Sequence, residues 1–347
     1  MTTVLILCGG QSPEHEISLR SARNVVAALN RNLFSPVIVG IDHSGHWHLL
    51  DAIPDGILVN AQNKVFIDPG TRSLIHGSRA ILVDVVFPIL HGPNGEDGSV
   101  QGLLEILNLP YVGPDVLGSA VAMDKDVAKT LMRSAGLNVA KGKTLHPASS
   151  IRFEELEKEF GSPLFVKPAN MGSSVGVHRV SNTQEFEFAL KDAFQFDTKV
   201  LVEEAIVGRE IECAVLGLDD PQVTAPGEIK SAEEYSFEEK YSDSSKTQLD
   251  IPAKRIAPEL LGKIKETAKK AFATLQGSIM ARVDMFLTTK GEIYVNEINT
   301  IPGFTSISMY PKLWENEGLS YADLITQLLK LSIERYDEQN ELMRTRQ

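Results

Sequence analysis

Residues 281 to 311, ARVDMFLTTKGEIYVNEINTIPGFTSISMYP, constrain this chain more than any other stretch. Two runs with period-2 alternation, Arg282 to Leu287 and Glu292 to Asn299, flank the turn Thr288-Thr289-Lys290-Gly291 and predict an antiparallel hairpin. In the simplest register Leu287 pairs with Glu292, Asp284 with Val295 and Arg282 with Glu297. Arg282, Asp284, Glu297 and Asn299 then project to one side, and Val283, Met285, Leu287, Tyr294 and Ile298 form a core face on the other. Asp284, Glu297 and Asn299 converge within roughly 7 Å along the strand and about 5 Å across it. Hard oxygen donors without His or Cys suit Mg2+, and a pair of ions ~3.5 to 4 Å apart would fit the span. The plainer reading is a solvated strand face with an incidental ion pair. Against it, the polar face runs on into Asn299-Thr300-Ile301-Pro302-Gly303, a turn rich in backbone donors.

A chain of 347 residues with 43% hydrophobic content can bury a sizeable core and predicts a soluble globular protein of two or three domains. Its net charge of -12 argues against a nucleic-acid or anionic-membrane surface, because binding a phosphate backbone needs a basic footprint. Cys8 and Cys213 lack metal-ligand spacing and are expected as buried, reduced thiols. Val4 to Cys8 is too short for an export signal, and no run approaches the ~20 apolar residues of a membrane helix. The cytoplasm is therefore the expected location.

Val4 to Cys8 is expected as a buried parallel strand, ending at Gly9-Gly10 before a helix from Ser18 to Leu29. The opening is Rossmann-like, yet the full glycine fingerprint of a dinucleotide site is absent, which speaks against an oxidoreductase. Glu14 lies in the glycine turn, where an acidic residue is either functional or a plain helix N-terminal charge. Pro36 to Ile41 is a second strand, and residues 44 to 79 read as a hairpin and irregular insertion without evident chemistry. Ile81 to Leu90 is expected as one further buried strand, placing His91 at a carboxyl-terminal strand end where ligands bind in open α/β sheets. A lone loop histidine is also common as a structural residue.

Lys125 and Lys129 share one face of a helix from Asp124 to Ser134, a pattern that usually marks solvent. Leu164 to Pro168 is a strand carrying Lys167, and Asn170 to Val177, with Ser173 and Ser174, offers backbone N–H groups as an anion nest or else makes a tight hairpin. A strand at Lys199 to Val202 leads into Glu203, Glu204, Ala205 and Ile206, where an acidic pair could accept from an adenine amine and a ribose hydroxyl. Glu210 to Gly217 alternates as a strand. Residues 230 to 250 form a long polar stretch whose aromatics, Tyr235, Phe237 and Tyr241, favour a lid. Helices are expected from Pro258 to Leu275 and from Tyr321 to Tyr336.

The lysine strand followed by GSSVG, the acidic hinge, and RVD paired with NEINTIPGF resemble the ATP-grasp superfamily. Further stretches narrow the likeness to the D-alanine:D-alanine ligase family: Gly9-Gly10 with Glu14-His15-Glu16-Ile17-Ser18, His91-Gly92 with Gly95-Glu96-Asp97-Gly98, Met123-Asp124-Lys125, Glu239-Lys240-Tyr241, and Thr305 to Pro311. The likeness covers nearly the whole chain. It implies an α/β fold in which a Rossmann-like N-terminal domain (1–121) precedes a two-part ATP-grasp fold (122–208 and 209–347) with nucleotide held between two sheets.

The resemblance further implies ATP near Lys125, Lys167, Ser173, Ser174, Glu203, Glu204, Ala205, Ile206, Glu210 and Lys240. Two Mg2+ ions, replaceable by Mn2+, would sit on Asp284, Glu297 and Asn299. It implies D-alanine held by Glu14 with His91 nearby, and a second D-alanine held by Lys240, Ser308 and Met309. Arg282 and the Gly303 N–H are placed at the tetrahedral oxyanion, and Glu14, Ser173 and Tyr241 form a latch closing the lid. A tyrosine at position 241 favours the dipeptide over an ester with D-lactate. Glu204 departs from relatives that carry lysine there. The implied assembly is a homodimer in the cytoplasm, engaging no nucleic acid and no membrane. A different ATP-grasp enzyme and a non-catalytic nucleotide sensor are the competing readings.

Overall fold

The computed structural model describes residues 1–56, 61–230 and 248–343. Its centre near the N-terminus is the strand Thr2–Gly9 (β1), in which Val4 to Cys8 are wholly buried, as expected of a strand covered on both faces. β1 lies parallel between Phe34–Ile41 (β2) and, in chain order after Trp47–Leu50 (β3), Phe66–Asp68 (β4), Ser73–His76 (β5) and Arg79–Leu82 (β6), the strand Val85–Pro88 (β7). The sheet order is β3-β2-β1-β7, with β3 antiparallel at the edge. The turn Gly9-Gly10, with φ of 86° and 99°, takes the chain into the helix His15–Ala28 (α1), a conformation that only glycine adopts without strain.

The run Ile81 to Leu90 is not one strand. It breaks at Val83-Asp84, because Asp84 Oδ2 accepts from Thr3 N at 2.7 Å while its own N–H donates to Thr3 O, so the residue closes the start of β1. The portion before the break pairs antiparallel with β5, and the insertion is a three-stranded β4-β5-β6 sheet.

After the helices Ser99–Ile106 (α2), Val116–Met123 (α3) and Lys125–Ser134 (α4), a second sheet is antiparallel throughout. It runs β10-β9-β11-β8, from Gly142–Leu145 (β8), Leu164–Pro168 (β9), His178–Val180 (β10) and Val200–Glu204 (β11). Phe153–Phe160 (α5) and Thr183–Ala193 (α6) cover it through Phe153, Leu156, Phe186 and Ala189. The third sheet is built from Arg209–Gly217 (β12), Gln222–Val223 (β13), Gly227–Lys230 (β14), Gln248–Asp250 (β15), Ile279–Leu287 (β16) and Ile293–Asn299 (β17), in the order β15-β14-β12-β16-β17 with β13 on β12. Lys230 and Gln248–Asp250, the ends of the long polar stretch, are therefore paired strands. The proposed lid aromatics together with Lys240 and Tyr241 lie outside the described residues.

One face of the third sheet packs on the helix Pro258–Thr274 (α7) through Cys213, Val283, Met285, Ile264 and Phe272. The other joins the N-terminal sheet, where Val4 and Ile6 share a core with Phe304 of the segment after β17, with Tyr310 and Leu313 of the Met309–Asn316 helix (α8), and with Leu324 and Leu328 of Tyr321–Glu341 (α9). Both thiols are buried and free, and burial pushes Cys8 up to about 12.

The hairpin forms, but in another register. Thr288 N–H bonds Glu292 O, so Leu287 pairs with Ile293 and Met285 with Val295. A bulge at Asn296 then sets Asp284 opposite Glu297 and Arg282 opposite Asn299. Ile293 and Val295 join the core, whereas Tyr294, opposite Phe286, is half-buried and lies off the core face. The four polar side chains keep their common side.

Candidate functional site

The loops after β1 and β7, the Asn170–Val177 loop and the hairpin enclose one cavity. Glu14, His91 and Ser173 line it from one side, Arg282, Glu297 and Asn299 from the sheet, and Gly303, Ser308 and Met309 from the segment after β17. Glu14 is buried, and Ser173 Oγ donates to its Oε1. Two glycines make room for this carboxylate: a Cβ at Gly92 would meet Glu14 Oε2 at 2.5 Å, and one at Gly172 would meet it at 2.9 Å. Ser173 and Ser174 hold φ of 50° and 60°, a strained left-handed pair that turns the loop back over the site.

His91 has both ring nitrogens committed. A carbonyl can only accept, so Nδ1 carries the proton and donates to Ile301 O at 2.9 Å, and Nε2 accepts from Ser21 Oγ at 3.1 Å. Burial lowers its pKa and keeps the ring neutral. His91 thus fixes the Ile301 turn while its ring borders the cavity. Glu96 does the same from the adjacent loop, accepting from Gly92 N at 2.8 Å and Ile301 N at 3.0 Å. Burial, then the Glu14 carboxylate, push Glu96 up to about 8. Gly303 packs against Ser308, whose Oγ accepts from Thr305 N at 2.9 Å.

On the third sheet the polar side chains form rows across neighbouring strands. Glu212, Asp284 and Glu297 stand opposite one another on β12, β16 and β17, and Arg282 and Asn299 form the next row. Arg282 grips Asp284 with two bonds, Nε to Oδ1 at 2.8 Å and Nη2 to Oδ2 at 2.7 Å, and its Nε lies 3.0 Å from Glu212 Oε2. Asn299 Nδ2 donates to Asp284 Oδ2 at 2.9 Å. Lys125 Nζ reaches Glu297 Oε2 at 3.3 Å and Met171 O at 2.7 Å, tying the Asn170–Val177 loop to the hairpin. This donor set fits a hard divalent cation: two carboxylates and an amide, with each carboxylate already drawing a protein cation.

Behind this row lies a buried charge cluster. Lys129 and Lys167 both pair with Glu203, at 2.5 and 2.8 Å. Burial opposes the Glu203 charge, but the two ammoniums outweigh it and hold the carboxyl at about 2. One carboxylate cannot offset two ammoniums away from water, and burial pushes Lys129 down to about 7. The face carrying Lys125 and Lys129 is therefore not solvated, because Glu297 and Met171 O receive the first lysine and Glu203 the second. Glu203 spends its carboxylate on these lysines rather than holding it open as an acceptor. Glu204 Oε1 accepts from Lys141 N, and Ala205 and Ile206 follow β11. Glu210 stands opposite Phe286, and with Ser174 and these hinge residues it lies outside the lining of the first cavity.

Lys129, Glu96 and Glu212 receive no site role from the sequence. Glu212 had a signal, since it shares the parity of Glu210 on an alternating strand. Lys129 had one too: Lys125, Ala128, Lys129 and Met132 follow the i, i+3, i+4, i+7 spacing of a buried helical stripe.

The model of the D-ala D-ala ligase N-terminus matches residues 3–114, and that of the D-ala D-ala ligase C-terminus matches residues 131–330. The chain is 49% identical to the D-alanine–D-alanine ligase of Oceanobacillus iheyensis over 98% of either sequence. Among solved structures, the D-alanine–D-alanine ligase of Coxiella burnetii superposes with a TM-score of 0.86 at 40% identity, covering 99% of this chain and 98% of that one. The Bacillus anthracis D-alanine–D-alanine ligase complexed with ATP gives 0.77 at 27% identity, covering 98% of this chain and all of the other. With both halves matched and nearly every residue aligned at that identity, the chain belongs to the D-ala D-ala ligase family.

Proposed function

We propose that the chain joins two D-alanines into D-alanyl-D-alanine at the expense of ATP, for peptidoglycan precursor synthesis. The carboxylate of the first alanine takes the γ-phosphoryl of ATP, releasing ADP. The amine of the second attacks the acyl carbon, a proton leaves the nitrogen, and phosphate departs. The observation that carries this reading is that Glu14, suited to an ammonium, and Arg282, suited to an oxyanion, line the same cavity as Glu297 and Asn299, with Asp284 bonded to Arg282 and Asn299 just behind its wall.

Glu14 is read as the anchor of the first ammonium, held in place by Ser173 and the room at Gly92 and Gly172. Arg282 and the Gly303 N–H are read as donors to the tetrahedral oxyanion, and Ser308 and Met309 as the second-substrate end. Lys125 and Lys167 are read as phosphate-facing cations, with Ser173 and Ser174 turning the covering loop. The hinge Glu203, Glu204, Ala205 and Ile206 and the strand residue Glu210 are read as the nucleotide's adenine and ribose side. Asp284, Glu297 and Asn299 would hold Mg2+, or Mn2+, which when bound offsets the charge of the phosphates. Lys240 and Tyr241 keep their proposed roles at the second carboxylate and the latch, outside the described residues. The boundaries 1–121, 122–208 and 209–347 are proposed as the domains, and the cytoplasm and a homodimer as the setting. Among the described residues no helix is long and apolar enough to cross a membrane.

The deciding assay is D-alanine-dependent phosphate release with identification of the product, using a panel of D- and L-amino acids. Phosphate release that tracks a different amino acid, or a product other than the dipeptide, overturns the assignment. Glu14→Gln is expected to raise the apparent KM for D-alanine on the order of tenfold, because a charge-assisted bond to an ammonium is about twice as strong as a neutral one. A loss confined to the KM of ATP would show that Glu14 serves the nucleotide instead.

A further inference from the structure

We propose that Glu212 is a positioning residue that keeps the Arg282 guanidinium at the cavity when a metal ion takes the Asp284 carboxylate. The inference rests on the metal and oxyanion roles read above and extends them to a residue they leave out. Both oxygens of Asp284 are occupied by Arg282, and Asn299 adds a third bond to Oδ2. A carboxylate cannot hold a guanidinium in this two-bond grip and serve a divalent cation with the same lone pairs, and the two cations repel each other. Three of the roughly four lone pairs of Asp284 are already taken, so a cation bound there loosens the grip on Arg282 and leaves room for a second carboxylate to hold it.

Glu297 stands in the metal set and already faces Lys125, so it is a poor second host. Glu212 is a better one. It sits directly opposite Asp284 on β12, its Oε2 lies 3.0 Å from Arg282 Nε, and its side chain is 4% exposed. Its surroundings leave it little freedom. On its other flank it faces Gly227, where a Cβ would meet Met309 Sδ at 2.6 Å, so the methionine packs down beside it. On this geometry Arg282 can release Asp284, keep its Nε contact to Glu212, and leave both terminal nitrogens aimed at the cavity for a developing oxyanion. Without Glu212 the released guanidinium would compete with the metal for Asp284 and Glu297.

The test is a double-mutant cycle on the full-length enzyme with Glu212→Gln, Arg282→Ala and the pair, read in two ways. Dipeptide formation gives kcat and each KM, and Mn2+ titration of the ADP-bound enzyme by electron paramagnetic resonance gives metal affinity without turnover. Glu212→Gln is expected to lower kcat about tenfold with little change in the KM of ATP, and to weaken Mn2+ several-fold; neither loss should recur when Arg282 is already Ala. Where Arg282→Ala turns over too slowly to measure, the Mn2+ arm carries the cycle.

If Glu212 were itself a metal ligand or only background negative charge, its removal would weaken Mn2+ equally in both backgrounds, and that result overturns the proposal. So does a Glu212→Gln enzyme with normal kcat and Mn2+ affinity. Failure of the unaltered enzyme to make the dipeptide would count against the proposed function instead.

Discussion

Glu297→Gln is expected to abolish turnover, with kcat lowered by at least about a hundredfold, the scale seen when one preorganised charge-stabilising group is lost. The side chain stands opposite Asp284 across the bulged hairpin, with Lys125 at 3.3 Å. Glutamine keeps the shape and one oxygen but removes the charge, so a cation there loses a hard ligand and the transferring phosphoryl group is less neutralised. Folding should be spared. Lys125 keeps Met171 O at 2.7 Å, and the core face of β17, Val295 and Ile298, is untouched. The thermal midpoint is therefore expected to fall by only a few degrees while the rate collapses, because Glu297 is partly open to the cavity and Lys125 keeps a second acceptor. Near-normal turnover at limiting Mg2+ would remove Glu297 from the site.

The polar face of this hairpin was legible because parity is local: alternate residues share a side whatever else the chain does. Its register was not. The turn is longer by one residue than the simplest pairing predicts, and the bulge at Asn296 adds a second offset of one. Together they restore parity, so Glu297 and Asn299 fall on the expected side, although Glu297 faces Asp284 rather than Arg282. Between the two offsets parity is inverted, which is why Tyr294 and Val295 exchange places.

The strand Thr2–Gly9 and the helix after Gly9-Gly10 were readable for the same local reasons. What was not readable depends on partners distant in sequence. Glu96 meets Ile301 from 205 residues away, and Lys129 meets Glu203 across 74, so no local pattern announces either pair. Lys129 falls on the buried stripe of α4, yet a lysine at such a position more often extends its charged end back to water. Here Glu203, not solvent, receives it.

That cluster makes the second large prediction. Glu203→Gln should destabilise the fold by about 3 to 5 kcal/mol, the usual cost of leaving buried charge unpaired, since two ammoniums would then face each other without a carboxylate. Glu203 is held near 2 in the folded protein, below the ordinary 4.5. Its stabilisation is therefore present above about pH 4.5 and lost as the pH falls from there toward 2. Lys129 also makes stability rise with pH, but at the alkaline end and because its charged form is the one that burial penalises. Its pKa is depressed from 10.5 to about 7, so the unfolded chain binds more protons in that window and Lys129 makes stability rise with pH from 7 to 10.5.

Replacing Lys129 with methionine removes the excess ammonium and keeps the length of the side chain, so Lys129→Met should be neutral or stabilising at neutral pH and should flatten the alkaline rise. Combined with Glu203→Gln, it should recover part of the loss, because one buried ammonium is easier to accommodate than two. Urea melts of the three variants across this pH range provide the measurement. If Glu203→Gln costs less than about 1 kcal/mol, as an exposed ion pair would, the cluster is hydrated and its charges are not in contest. If Lys129→Met is as damaging as Glu203→Gln, the pair is balanced and Lys129 is an ordinary cation. If instead only the glutamate is indispensable, a single carboxylate restrains two lysines, and Lys167 keeps its full charge on the side of the cluster that faces Asn296.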